Sequence, residues 1–139
     1  MEKYYSKVQP EKLLHMIVRK EDFQPGRTDL IDNDQFIQCA ALNMDGGKTF
    51  KPHKHIWKDR SMKVIAQESW ICIQGSVKCT FYDLDDTVLA EPTIYAGDAS
   101  YTLEGGHTYT IQEDNTLVYE YKTGPYEGQS LDKVFIDGK

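Results

Sequence analysis

The sequence predicts an all-β domain, an antiparallel barrel or sandwich preceded by one short helix. Two observations carry that reading. From residue 35 onward, runs rich in β-branched and aromatic residues recur at short intervals with a period of two. Turn-forming groups separate several of them: Asp45-Gly46-Gly47, Gln74-Gly75-Ser76, Asp83-Leu84-Asp85-Asp86, Gly97-Asp98, Gly105-Gly106 and Glu113-Asp114-Asn115. Strands and helices do not alternate, so a parallel sheet is not expected.

Taken in order, the chain opens on a segment, 1–34, that reads as a helix and a loop. Pro10–Arg19 (PEKLLHMIVR) places proline in a first helical turn and spaces Leu13, Leu14, Ile17 and Val18 on one face. His15 lies inside that apolar run and reads as a packing or surface residue. Asp22–Asn33 has the Pro, Gly and Asp content of a connecting loop. The barrel core, 35–122, then comprises Gln35–Leu42, Thr49–His55, Met62–Ala66, Glu68–Ile73, Val77–Tyr82, Val88–Tyr95, Ala99–Leu103, His107–Gln112 and Leu117–Lys122. The tail, 123–139, is irregular, with Val134, Phe135 and Ile136 able to dock as an edge strand. At 139 residues this is one domain, with enough chain to bury a core without disulfides.

A net charge of −6 argues against a nucleic-acid surface. Against that background, Lys48, Lys51, Lys54, Lys58 and Arg60 face Asp59 alone, a local balance of +4. Such a patch either attracts an anionic small molecule or is a solvated loop face. Cys39, Cys72 and Cys79 lie in apolar stretches without CxxC spacing and read as buried free thiols. No apolar run is long enough to span a bilayer, and MEKYYSKVQPEK has no signal-peptide core, so a cytoplasmic protein is expected.

His53 and His55 stand two apart on a predicted strand, so both imidazoles point to one face and can reach one ion. Around them run Gly47, five residues, His53, one residue, His55, a spacer, Glu68, six residues and Gly75; later come Gly97, five residues and Leu103-Glu104-Gly105-Gly106-His107. This pattern, over residues 40 to 122, resembles the two motifs of the cupin superfamily. The spacer before Glu68 is longer than the family's three or four residues. Leu103 stands where the family has proline, His107 comes one residue early after Gly105, and Ile111 replaces the closing asparagine. The stretches AQESW, QGSVKCTFYD, LEGGHTYTI and YEYKTGPYEGQSLDK resemble small cupins of bacterial surface-polysaccharide and nucleotide-sugar pathways.

The resemblance implies a jelly-roll barrel, or double-stranded β-helix, holding one divalent metal through His53, His55, Glu68 and His107. Three imidazoles and a carboxylate suit Zn, Fe, Mn, Ni or Cu and leave open positions for a water or substrate oxygen. The function implied is a metal-dependent isomerase, epimerase or lyase on a sugar or sugar nucleotide. The alternatives are a non-haem iron dioxygenase and a non-catalytic small-molecule-binding cupin.

Strand parity supplies further candidates. Trp70 and Cys72 share a face with Glu68, so Trp70 is a pocket wall or core. Tyr109 shares parity with His107 and is the candidate proton donor; Glu68 is the other catalytic candidate. Gln38 and Lys51 are candidate substrate contacts. Tyr119 and Tyr121 alternate with Glu120 and Lys122, and either pair can face inward. A homodimer is the expected assembly, formed by pairing an edge strand or an open sheet face.

Overall fold

A computed structural model describes residues 1–32, 35–43, 45, 48, 65–123 and 134–136. The described chain is all β, as the sequence predicts, and built from antiparallel pairs. In order the strands are β1 (Glu2–Tyr5), β2 (Leu13–Val18), β3 (Gly26–Asp29), β4 (Ala40–Asn43), β5 (Glu68–Gln74), β6 (Ser76–Tyr82), β7 (Val88–Ala90), β8 (Thr93–Tyr95), β9 (Ala99–Thr102), β10 (Gly106–Ile111) and β11 (Leu117–Lys122). One sheet has the order β1-β2-β9-β5-β11. A second has β10-β6-β7, with β8 also pairing β6, and β3-β4 forms a separate ribbon.

The predicted N-terminal helix is a strand. Leu14, His15, Met16, Ile17 and Val18 are all buried, because β2 lies in a sheet covered on both faces. Met16 and Val18 pack outward against Leu30, Ile31 and Ala41, while Ile17 packs inward among Cys72, Val77, Phe81 and Ile94. A strand buried on both faces shows a continuous apolar run, and such a run also satisfies helical spacing. Hydrogen bonds from Ser6 N–H to Lys12 O and from Lys12 N–H to Gln9 O close the hairpin that begins with β1. The segment 1–34 therefore supplies two strands of the larger sheet rather than an appendage to a core starting at residue 35.

Three boundaries also differ from the predicted ones. The predicted loop 22–33 contains β3, a polar strand recognisable only through its pairing with β4. The run from Gln35 becomes a strand only at Ala40. Val88–Tyr95 divides around Glu91 and Pro92 into β7 and β8, since proline has no N–H to donate to a ladder. Cys72 and Cys79 are buried and Cys39 half-buried, all three free thiols. Of the tail, Val134, Phe135 and Ile136 are described and form no strand. No described helix is long and apolar enough to cross a membrane.

The interior between the sheets is mostly apolar at one end and polar at the other. Cys72, Val77, Cys79 and Ile94 fill the first, with Phe81 between them and His15. At the second, register places His15 opposite Thr102, Thr102 opposite Glu68, and Glu68 opposite Lys122, one polar row crossing four strands. The turn into β10 closes over this end. Gly105 has φ +82, and a Cβ there would sit 2.6 Å from the Tyr82 carbonyl oxygen and 3.1 Å from His15 Nε2. Gly105→Ala is expected to cost on the order of 2 kcal/mol, through the left-handed backbone and the clash together. Chemical denaturation checks this; an unchanged midpoint would contradict the packing.

His15 is fully buried, stacked on Phe81 at 4.4 Å between ring centroids. Its Nε2 lies 3.1 Å from Tyr82 O, which can only accept, so Nε2 carries the proton and Nδ1 accepts from the Thr102 hydroxyl at 3.2 Å. Burial lowers its pKa to about 4, more than the Tyr82 hydrogen bond raises it. A folded-state pKa below the unfolded value of about 6.5 means that unfolding takes up a proton. This contribution to stability is intact above about pH 6.5 and is lost as pH falls towards 4. His15→Gln should flatten the dependence of Tm on pH across that window, whereas an unaltered slope would show that His15 does not titrate on unfolding.

Candidate metal centre

Glu68 opens β5 and His107 follows the first residue of β10, so the two side chains come from different sheets and meet across the interior. His107 Nε2 lies 3.2 Å from Glu68 Oε1. The same Oε1 accepts a hydrogen bond from the Trp70 indole N–H at 3.0 Å. Both side chains are largely covered, His107 at 23% and Glu68 at 15% exposure. His107 Nδ1 is buried and has no hydrogen-bond partner among the described residues.

The aromatic residues form a wall behind the pair. Trp70 stacks on Tyr109 with ring centroids 4.1 Å apart and planes 16° from parallel. Tyr109 also leans on the His107 ring at 5.2 Å. The Tyr109 hydroxyl is 3.1 Å from Ser100 Oγ. Burial pushes the phenol well above its ordinary pKa, only partly offset by Ser100, so it stays protonated through the physiological range. Tyr109 is thus a neutral group whose hydroxyl is held within the core.

Strand parity aligns Glu68 with Trp70 and His107 with Tyr109, and the packing of the two sheets brings these two pairs together. Gln38 does not join them: it is exposed and its amide donates to the backbone oxygens of Asp32 and Gln35. Lys51, His53 and His55 lie outside the described residues, as does most of the spacer before Glu68. Among the described residues no three His, Cys, Asp or Glu side chains gather closely enough to hold an ion. The described half of the expected ligand set is the Glu68–His107 pair.

Sequence reasoning left Ser100, Thr102 and Lys122 unassigned. Tyr119 and Tyr121 are 58% and 55% exposed, while Val118 packs into the interior, so Glu120 and Lys122 have inward parity. In the β5–β11 register Lys122 stands opposite Glu68. An open depression of about 600 Å³ lies elsewhere, bordered by Leu13, Met16, Leu30, Phe36 and Leu103. These residues belong to or adjoin the outer packing of the larger sheet, and neither Glu68 nor His107 lines the depression.

The described pair, Glu68 and His107, has a spacing compatible with two ligands of one ion. Two ligands each about 2.1 Å from a common ion stand roughly 3 Å apart when they occupy neighbouring coordination positions. The observed separation of 3.2 Å meets that requirement without moving either strand. A buried imidazole nitrogen lacking a partner is a second sign of an incomplete polar site. No protein-family model matches the chain, and neither a curated protein nor a solved structure does.

Proposed function

We propose that the chain is a metal-binding cupin-type protein, a jelly-roll barrel with His53, His55, Glu68 and His107 around one divalent ion. The single observation supporting this most strongly is the meeting of Glu68 and His107 at 3.2 Å from opposite sheets. Glu68 stands at the interval from Gly75 that the cupin-like pattern marks for a ligand, and His107 one residue before the position that pattern marks. The proposed reaction class is isomerisation, epimerisation or elimination on a small polar substrate, a sugar or sugar nucleotide, by a cytoplasmic homodimer. The motif resemblance and the basic stretch around the histidine pair support that substrate class. Exposed Val134 and Phe135, at 92% and 74%, support a second copy as partner.

When bound, the ion would polarise a substrate carbonyl or hydroxyl oxygen. The chain's own part is to arrange the groups beside it. Glu68 and His107 set one side of the centre, and the Trp70–Tyr109 stack excludes water behind them. Glu68 is the nearest base to a proton released there. Tyr109, protonated through the physiological range, holds a proton at its hydroxyl, which first has to leave Ser100 Oγ before donating it. That internal commitment favours, as a second reading, a non-catalytic site that binds a small ligand.

Metal-loaded protein incubated with sugar and nucleotide-sugar pools separates the two. Conversion of one component, lost in Glu68→Gln, is expected of an enzyme; retention of an unchanged metabolite through purification would replace the catalytic reading with the binding one.

A further inference from the structure

We infer that Trp70 is a positioning residue, acting through its indole N–H to hold the Glu68 carboxylate beside His107. The inference rests on the metal-centre reading and adds a role that ligand spacing does not assign. Five contacts lead to it. The indole N–H donates to Oε1, the same oxygen that faces His107. The indole ring is stacked on Tyr109, so it cannot turn without breaking that contact. Tyr109 in turn touches the His107 ring and is held at its far end by Ser100.

The stack therefore supports both members of the pair at once, one by a hydrogen bond and the other by ring contact. Glu68 is the first residue of β5, and its backbone lies between Thr102 of β9 and Lys122 of β11. Its side chain has several rotatable bonds, and a carboxylate in that position loses orientation readily unless a neighbour fixes it. Trp70, two residues on and on the same face, is placed to do so. This also explains a tryptophan in a position where ordinary packing needs only an apolar side chain: the ring fills space and the N–H does the orienting.

The test is Trp70→Phe, which keeps an aromatic ring against Tyr109 and removes the N–H. Zinc affinity, measured by competition with a chromophoric chelator, should fall by about 10- to 100-fold, while the metal-free variant melts as wild type does. In a Glu68→Ala background the same substitution should change affinity no further, since it acts through Glu68. Wild-type affinity in Trp70→Phe, or an equal loss in both backgrounds, would overturn the inference while leaving the metal centre standing. A wild-type chain that binds no zinc would overturn the metal centre and the inference with it. Should Trp70→Phe not fold, the wild-type indole N–H resonances decide: there are two tryptophans, Trp57 and Trp70, and Trp57→Phe assigns the signals. The Trp70 resonance should exchange slowly and move on addition of zinc; one that stays in place overturns the inference.

Discussion

Replacing His107 with alanine should abolish the stabilisation that zinc gives the wild-type chain. A ligand that binds only the folded state raises stability by about 2.7 kcal/mol at a free concentration one hundred times its Kd. For the wild type this appears as a rise in Tm that grows with zinc concentration. In His107→Ala the rise should vanish, while the metal-free Tm changes much less. His107 is partly exposed and the polar end of the interior already carries Thr102, Glu68 and Lys122, so the substitution creates no deep apolar cavity. An equal zinc-dependent rise in the variant would mean that the stabilising ion sits elsewhere.

The second large effect is structural and lies at Asp83. This carboxylate is 1% exposed at the end of β6. Oδ1 accepts from the Ser6 hydroxyl at 2.6 Å and from Leu84 N–H at 2.7 Å, and Oδ2 accepts from Lys7 N–H at 2.6 Å. Ser6 Oγ itself accepts from the N–H groups of Val8 and Gln9. One side chain thus ties the turn of the first hairpin to the turn after β6, joining the two sheets at their ends. Asp83→Ala leaves a hydroxyl and two backbone N–H groups without their acceptor. Hydrogen bonds to a charged acceptor are worth about 1.5–3 kcal/mol each and are not additive. A loss on the order of 3 kcal/mol is expected, roughly 10 °C in Tm for a chain of this size. A change below about 1 kcal/mol would contradict the tie.

The same contact has a pH signature. Burial by itself raises the Asp83 pKa, but the hydrogen bonds from Ser6, Lys7 and Leu84 outweigh it, so the folded value lies below the ordinary one. A depressed carboxylate pKa stabilises fully above the unfolded value of about 3.9, and that contribution is lost as pH falls through the folded value. Asp83→Asn should remove this component of acid sensitivity. His15→Gln acts in a higher window, between about pH 6.5 and 4, so the two are separable in one titration.

Much of this fold is legible in the sequence because alternation survives wherever a strand has one wet or polar face. β5, β6, β9, β10 and β11 fall within a residue of their predicted bounds. β2 is misread for the opposite reason: with both faces covered, Leu13–Val18 loses its alternation and imitates a helix. β1 and β3 are short and polar, and only their partners identify them. The site shows the same division. Parity alone predicts that Glu68 aligns with Trp70 and His107 with Tyr109. That Ser100, Thr102 and Lys122 join them depends on β9 lying between β2 and β5, and on β11 flanking β5. Pairing order of this kind is a tertiary property that local pattern does not carry.

The central claim is that strands from two sheets bring Glu68 and His107 to a common ion. Native mass spectrometry of the purified chain, after incubation with zinc and removal of the excess, tests it most directly. The account predicts one bound ion per wild-type chain and a strongly reduced occupancy in Glu68→Ala, which keeps only weak binding. A wild-type chain free of metal, or a Glu68→Ala chain that keeps its ion with wild-type occupancy, would contradict it.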